Sequence, residues 1–155
     1  MAFLYPAGTR LSGKVALISG GSRGLGESHA RALIAQGARV VVSDILDDDG
    51  QALVAELGEA SRYIHLDVTS RTEWAKAVAF TLQEFGALNV LINNAGIAHF
   101  SPIGEYKPEQ WDTMIAINLT GVFNGVDASL QALKASAPSS IINVSSIAGL
   151  RGYSG

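Results

Sequence analysis

Residues Lys14–Gly26 read KVALISGGSRGLG. A short apolar run, Lys14–Ser19, has the length and composition of a buried strand. It enters a glycine-rich turn, SGGSRGLG (Ser19–Gly26), and the turn opens into GLGESHARALIAQG (Gly24–Gly37). That last segment reads as a helix stopped by Gly37. Gly20, Gly24 and Gly26 form G-x-x-x-G-x-G. Glycines at such a turn permit backbone angles and close approach that a Cβ would block. A helix starting there points its free N–H groups and positive dipole end outward, where they suit a pyrophosphate. A glycine string alone also fits an ordinary strand-to-helix turn. The strand before it and the helix after it strengthen the phosphate reading.

Working outward, the alternation continues. Ala38–Asp44 is a second strand, and DDDGQALVAELG from Asp47 a second helix, with Asp47 to Asp49 at its positive end. Arg62–Val68 is a third strand. TSRTEWAKAVAFTLQEFG follows as a third helix, capped by Thr69 or Ser70, with Glu73 placed for a capping box. Leu88–Gly96 is a fourth strand running into a polar turn. Lys107–Ser136 reads as one long helix with Pro108 near its start. SSIINVSS is a fifth strand. Strands alternating with longer helices imply right-handed βαβ units and a parallel sheet. The fold class is thus α/β: a Rossmann-type doubly wound sheet of order 3-2-1-4-5, with its crevice at the reversal between strands 1 and 4.

Composition supports one domain over residues 1–155. Hydrophobic residues make up 48% and charged residues 16%, which suits strands buried on both faces. The net charge is −3 with no basic run, which argues against nucleic acid and against an anionic membrane surface. There is no cysteine, hence no disulfide framework or thiolate metal site. His29, His65 and His99 lack metal-ligand spacing, so no metal is expected. His29 reads as a helix-surface residue, His65 as a strand residue, and His99 as a loop residue near a substrate. The start, MAFLYPAGTR, has no positively charged n-region or long apolar stretch. No secretory signal or membrane span is expected, and a cytoplasmic location follows.

Asp44 ends strand 2, 18 residues past Gly26. An acid there accepts hydrogen bonds from ribose hydroxyls and repels a 2′-phosphate, favouring NAD over NADP. It also fits a helix-entry aspartate. Arg23 argues the other way, since a cation in the loop pairs with a 2′-phosphate; Asp44 is weighted more because its expected position faces the discriminating atom. Asp67 and Val68 close strand 3, where an aspartate can accept from an adenine amino group and the valine N–H can face a ring nitrogen. Asp67 alone also reads as a turn residue.

At NNAG (Asn93–Gly96) the pattern resembles the short-chain dehydrogenase/reductase family. The matching features are the glycine turn, Asp67-Val68, NNAG, NLTGVF from Asn118, and IINVSS ending at Ser146. Together they span nearly the whole chain. The chain is most similar to bacterial NAD-dependent hydroxysteroid (20β type) and secondary-alcohol dehydrogenases. The resemblance implies an oxidoreductase that interconverts an alcohol and a ketone. Gly20, Ser22, Arg23, Gly24, Leu25, Gly26, Asp44, Asp67, Val68, Asn94, Ala95 and Gly96 would hold the cofactor. Asn118 would hold a water on a proton path, and Ser146 would hydrogen-bond the substrate oxygen. It also implies a homo-dimer or homo-tetramer.

The family's proton transfer uses a Tyr-x-x-x-Lys pair, because residues i and i+4 share a helix face. A neighbouring ammonium lowers the tyrosine's ordinary pKa. Tyr153 has no lysine four residues on and reads as a loop residue. The chain is therefore expected to be the N-terminal portion of a longer dehydrogenase, inactive alone, with strand 5 left as an edge. The alternative is a dinucleotide-binding sensor or scaffold without catalysis.

Overall fold

The computed structural model describes residues 7–102 and 104–151. Tyr153 lies outside them. Five strands, β1 (Val15–Ser19), β2 (Arg39–Asp44), β3 (Ser61–His65), β4 (Val90–Asn93) and β5 (Ser140–Asn143), form one sheet of order β3-β2-β1-β4-β5. Every pairing is parallel. Helices α1 (Gly24–Ala35), α2 (Asp47–Leu57) and α3 (Arg71–Phe85) follow β1, β2 and β3. Helices α4 (Pro108–Ile115) and α5 (Gly121–Ala135) separate β4 from β5.

The period-2 geometry of β1 divides the core. Val15 and Leu17 join Val41, Leu66, Trp74, Leu88, Leu91 and Leu133 on the face covered by α3 and α5. Ala16 and Ile18 join Val40, Val42, Ala30 and Leu53 under α1 and α2. Both faces of β1 are thus dry, which is why its sequence shows no polar alternation. Among the described residues β5 pairs with β4 alone, and its Ile141 and Ile142 are 40% and 45% exposed. Among the described residues no helix is long and apolar enough to cross a membrane.

Three details depart from the sequence expectation. β3 ends at His65, so Asp67 and Val68 lie in the loop beyond it rather than closing the strand. The last rung there is Leu66 N–H donating to the Asp44 carbonyl (2.9 Å). Asp67 Oδ1 then accepts from Thr69 N (2.9 Å) and Thr69 Oγ1 (2.8 Å), a local turn that competes with the ladder. The capping box of α3 is half formed. Ser70 Oγ accepts from Glu73 N, but the Glu73 carboxylate accepts from Asp67 N (2.6 Å) instead of closing on Ser70. Finally, the long helix is broken by a π turn at Ala116–Thr120. Such wide turns cluster at functional sites, and this one carries Asn118.

Candidate functional site

The carboxyl ends of β1, β2, β3 and β4 surround a crevice of about 420 Å³, within the range of small-molecule sites. The turn after β1 forms its floor. Gly20 and Gly24 have φ of +62° and +60°, which side chains other than glycine adopt only with strain. A Cβ on Gly20 would also come within 2.7 Å of Ala95 Cα. At Gly24 a Cβ would meet nothing within 4 Å, so the backbone angle alone calls for glycine. The Arg23 side chain makes no capping hydrogen bond at the N-terminus of α1, and Gly24 and Leu25 from its first turn line the crevice.

Asn94 locks this floor in place. Its Nδ2 donates to the carbonyls of Ser19 (3.1 Å) and Gly20 (2.8 Å). Ser19 Oγ in turn accepts from the main-chain N–H groups of Asn94 and Ala95. The Asn94 side chain thus serves the turn, while Asn94, Ala95 and Gly96 line the wall.

Asp44 is buried at the end of β2. Its Oδ1 accepts from Ile45 N (2.8 Å) and Leu46 N (3.2 Å), and its Oδ2 from Ser22 N (3.1 Å). Both the glycine loop and the entry to α2 are therefore fastened to one carboxylate that also faces the crevice. Tyr63 adds a second tie: its hydroxyl lies 2.7 Å from the Asp44 carbonyl oxygen and 2.7 Å from Asp47 Oδ1. Burial, and then the Asp47 carboxylate, push the phenol well above its ordinary pKa, so it remains a hydrogen donor.

The structure brings Gly20, Arg23, Gly24, Leu25, Asp44, Asp67, Val68, Asn94, Ala95 and Gly96 to one crevice. It places four other candidates elsewhere. Ser22 is buried beneath the loop with its Oγ toward Gly50 of α2, not toward the crevice. Gly26 packs α1 onto the turn, where a Cβ would collide with the Gly20 carbonyl. Asn118 stands just behind the wall, pairing with both main-chain groups of Ile97: Oδ1 accepts from its N–H (2.9 Å) and Nδ2 donates to its carbonyl (2.8 Å). Ser146 is exposed past β5, and its Oγ accepts from Ala148 N (3.2 Å), capping a short 3₁₀ turn, Ile147–Gly149. Sequence reasoning missed the apolar walls, Ile45, Leu46, Leu66, Ile97 and Ile117. Their signal was present: each lies within two residues of a candidate site residue.

Compared with known proteins, residues 14–155 match the model of the short chain dehydrogenase family. The chain belongs to that family. Among its relatives, the 3-alpha-(or 20-beta)-hydroxysteroid dehydrogenase of Mycobacterium tuberculosis is 52% identical over 143 residues, covering 92% of this chain and 55% of the relative. The trans-4-hydroxycyclohexanecarboxylate dehydrogenase of Sinomonas cyclohexanicum is 44% identical over 153 residues, covering 93% and 59%. A crystal structure of a short-chain dehydrogenase/reductase (glucose/ribitol dehydrogenase) from Brucella melitensis superposes with a TM-score of 0.89 at 32% identity, covering 95% of this chain and 63% of that one. This short-chain dehydrogenase chain thus spans a little over half the length of the curated relatives it matches.

Proposed function

We propose that residues 1–155 are the dinucleotide-binding domain of an NAD-dependent oxidoreductase that interconverts a secondary alcohol and a ketone. One observation carries the reading. A glycine turn with two left-handed residues, the N-terminus of α1 and a strand-end carboxylate converge on one crevice. The first two suit a pyrophosphate and the third suits ribose hydroxyls. Gly20, Gly24 and Leu25 would hold the phosphates, Asp44 the adenosine ribose, and Asp67 and Val68 the adenine. When bound, the nicotinamide supplies the hydride acceptor. Asn118 fixes Ile97 and with it the wall beyond Gly96. Ser146, past the end of β5, accepts from Ala148 N and keeps its hydroxyl proton, with which it would orient the substrate oxygen. Two of the relatives named above are named for a hydroxysteroid and a hydroxycyclohexanecarboxylate, so the proposed substrate class is a secondary alcohol on a ring-containing molecule, hydroxysteroids included. A homo-dimer or homo-tetramer is the proposed assembly.

The test uses the intact gene product. NADH binding is measured by fluorescence, and NADH formation is followed with cyclic secondary alcohols and hydroxysteroids. Saturable binding with turnover is expected. Binding without turnover on any of them would favour the second reading, a dinucleotide sensor or scaffold. The capping role of Ser146 is the observation in that reading's favour. No binding of either nicotinamide dinucleotide would overturn both.

A further inference from the structure

His65 lies outside the crevice yet sits between the two loops that form its adenosine end. In the β2–β3 register it stands directly beside Asp44. One loop, Asp44–Leu46, leads into α2, whose first residue is Asp47. The other, Leu66–Val68, leads toward α3, whose Glu73 accepts from Asp67 N (2.6 Å). His65 Nδ1 is 2.8 Å from Asp47 Oδ1, and its Nε2 is 3.9 Å from Glu73 Oε2. Tyr63 extends the link from Asp47 to the Asp44 carbonyl. Hydrogen bonds therefore link Asp44, Tyr63, Asp47 and His65, and a longer ion-pair approach of 3.9 Å carries the line from His65 to Glu73, which is hydrogen-bonded to Asp67 N.

We infer that His65 is a positioning residue whose protonated ring ties the Asp44 loop to the Asp67 loop and so tightens binding of the dinucleotide's adenosine end. The inference rests on the dinucleotide reading of the crevice. The charged groups facing the imidazole are acids: Asp47 from α2, Glu73 from α3 and Asp67 from the loop between, with Tyr63 on its own strand sharing Asp47 Oδ1. An imidazolium hydrogen-bonds Asp47 through Nδ1, places its charge 3.9 Å from Glu73 Oε2, and so neutralises part of this charge. A neutral ring carries no charge toward either acid, and Asp47, Asp67 and Glu73 are left to repel one another across the loops. The hydrogen bond to Asp47 above all, against a smaller desolvation, raises the imidazole's pKa, so the ring keeps its proton to a higher pH than a free imidazole would. His65 is half exposed, so solvent screens the pair and the effect is modest.

The experiment measures NADH affinity of the intact gene product by fluorescence at about pH 6 and about pH 8.5, a window that brackets histidine titration. The wild-type Kd is expected to rise ~2- to 5-fold across it, the size of an exposed ion pair. His65→Gln removes that slope. By reciprocity, NADH saturation raises the pKa of His65 read from its imidazole NMR signals. That second measurement needs no variant. A wild type that binds NADH with no slope overturns the inference and leaves the crevice reading intact, as does a slope that survives in H65Q. Equal weakening of H65Q at both pH values also overturns it, since that is a merely structural role. A wild type that binds no NADH at either pH fails the crevice reading and the inference with it.

Discussion

Gly50→Ala should destabilise this protein although helix propensity says the opposite. Gly50 is the fourth residue of α2 and is buried. Its backbone is ordinary helix, so alanine there would gain about 1 kcal/mol on propensity alone. The packing decides otherwise. A Cβ at this position would press into the Tyr63 ring at Cδ2 and Cε2 and come 2.7 Å from Ser22 Oγ. Tyr63 cannot swing clear without loosening its two contacts, to the Asp44 carbonyl and to Asp47 Oδ1. Overpacking of this kind costs about 1–3 kcal/mol, and a weakened hydrogen bond adds about 1 kcal/mol. Set against the helix gain, the net loss is about 2 kcal/mol. For a protein of this size that lowers Tm by ~4–8 °C. Calorimetry and urea unfolding of the intact gene product read the change. Tyr63→Ala supplies the control: with the ring removed only the Ser22 Oγ contact remains, so adding Gly50→Ala should cost clearly less than in the wild-type background. A higher Tm for G50A in the wild-type background, or no coupling to Tyr63, would refute the packing account.

Three further outcomes are expected. Asp44→Ala should lower the NAD/NADP ratio of kcat/KM and, because three main-chain N–H groups lose their acceptor, destabilise the fold by about 1–3 kcal/mol; an unchanged ratio would remove Asp44 from cofactor discrimination. Asn94→Ala leaves the Ser19 and Gly20 carbonyls without their donor, and NADH affinity should fall ~5- to 30-fold for a loss of about 1–2 kcal/mol, with wild-type Kd as the contrary result. Stability should peak between the carboxylate and histidine ranges. His65 is raised, so its contribution is full below the ordinary histidine value and is lost as pH rises through the raised one. Asp47 is lowered, by the Tyr63 hydroxyl first and His65 second, so its contribution is present above the ordinary carboxylate value and is lost as pH falls through the lowered one. In urea unfolding, H65Q should remove the His65-linked loss on the alkaline side; a midpoint that falls there as steeply as in wild type would contradict the assignment.

How much was legible follows from the range of the forces involved. Val15–Ser19, Arg39–Asp44 and Val90–Asn93 announced themselves because buried parallel strands are apolar on both faces and are punctuated by glycine or polar turns. The π turn at Ala116–Thr120 left no local trace. Its residues favour a helix as much as their neighbours do, and the departure accompanies a contact to Ile97 some 21 residues away. Asp67 shows the same limit on a smaller scale. Its nearness to the end of strand 3 was readable, but not that the strand would stop at His65 and its own carboxylate would turn the chain through Thr69.

The sequence by itself determined the element order, the 3-2-1-4-5 sheet and the family, because periodicity, punctuation and motif spacing are properties of neighbouring residues. Only the tertiary structure decided which way each polar side chain faces. It turned Ser22 under the loop, set Ser146 to cap Ala148, and assigned Asn94 to the glycine turn. It also joined Tyr63, Asp47 and His65 into one link. That link depends on β3 lying beside β2 in a single register, with α2 crossing between them. Pairing across 16 to 18 residues is settled by packing, which no local pattern records.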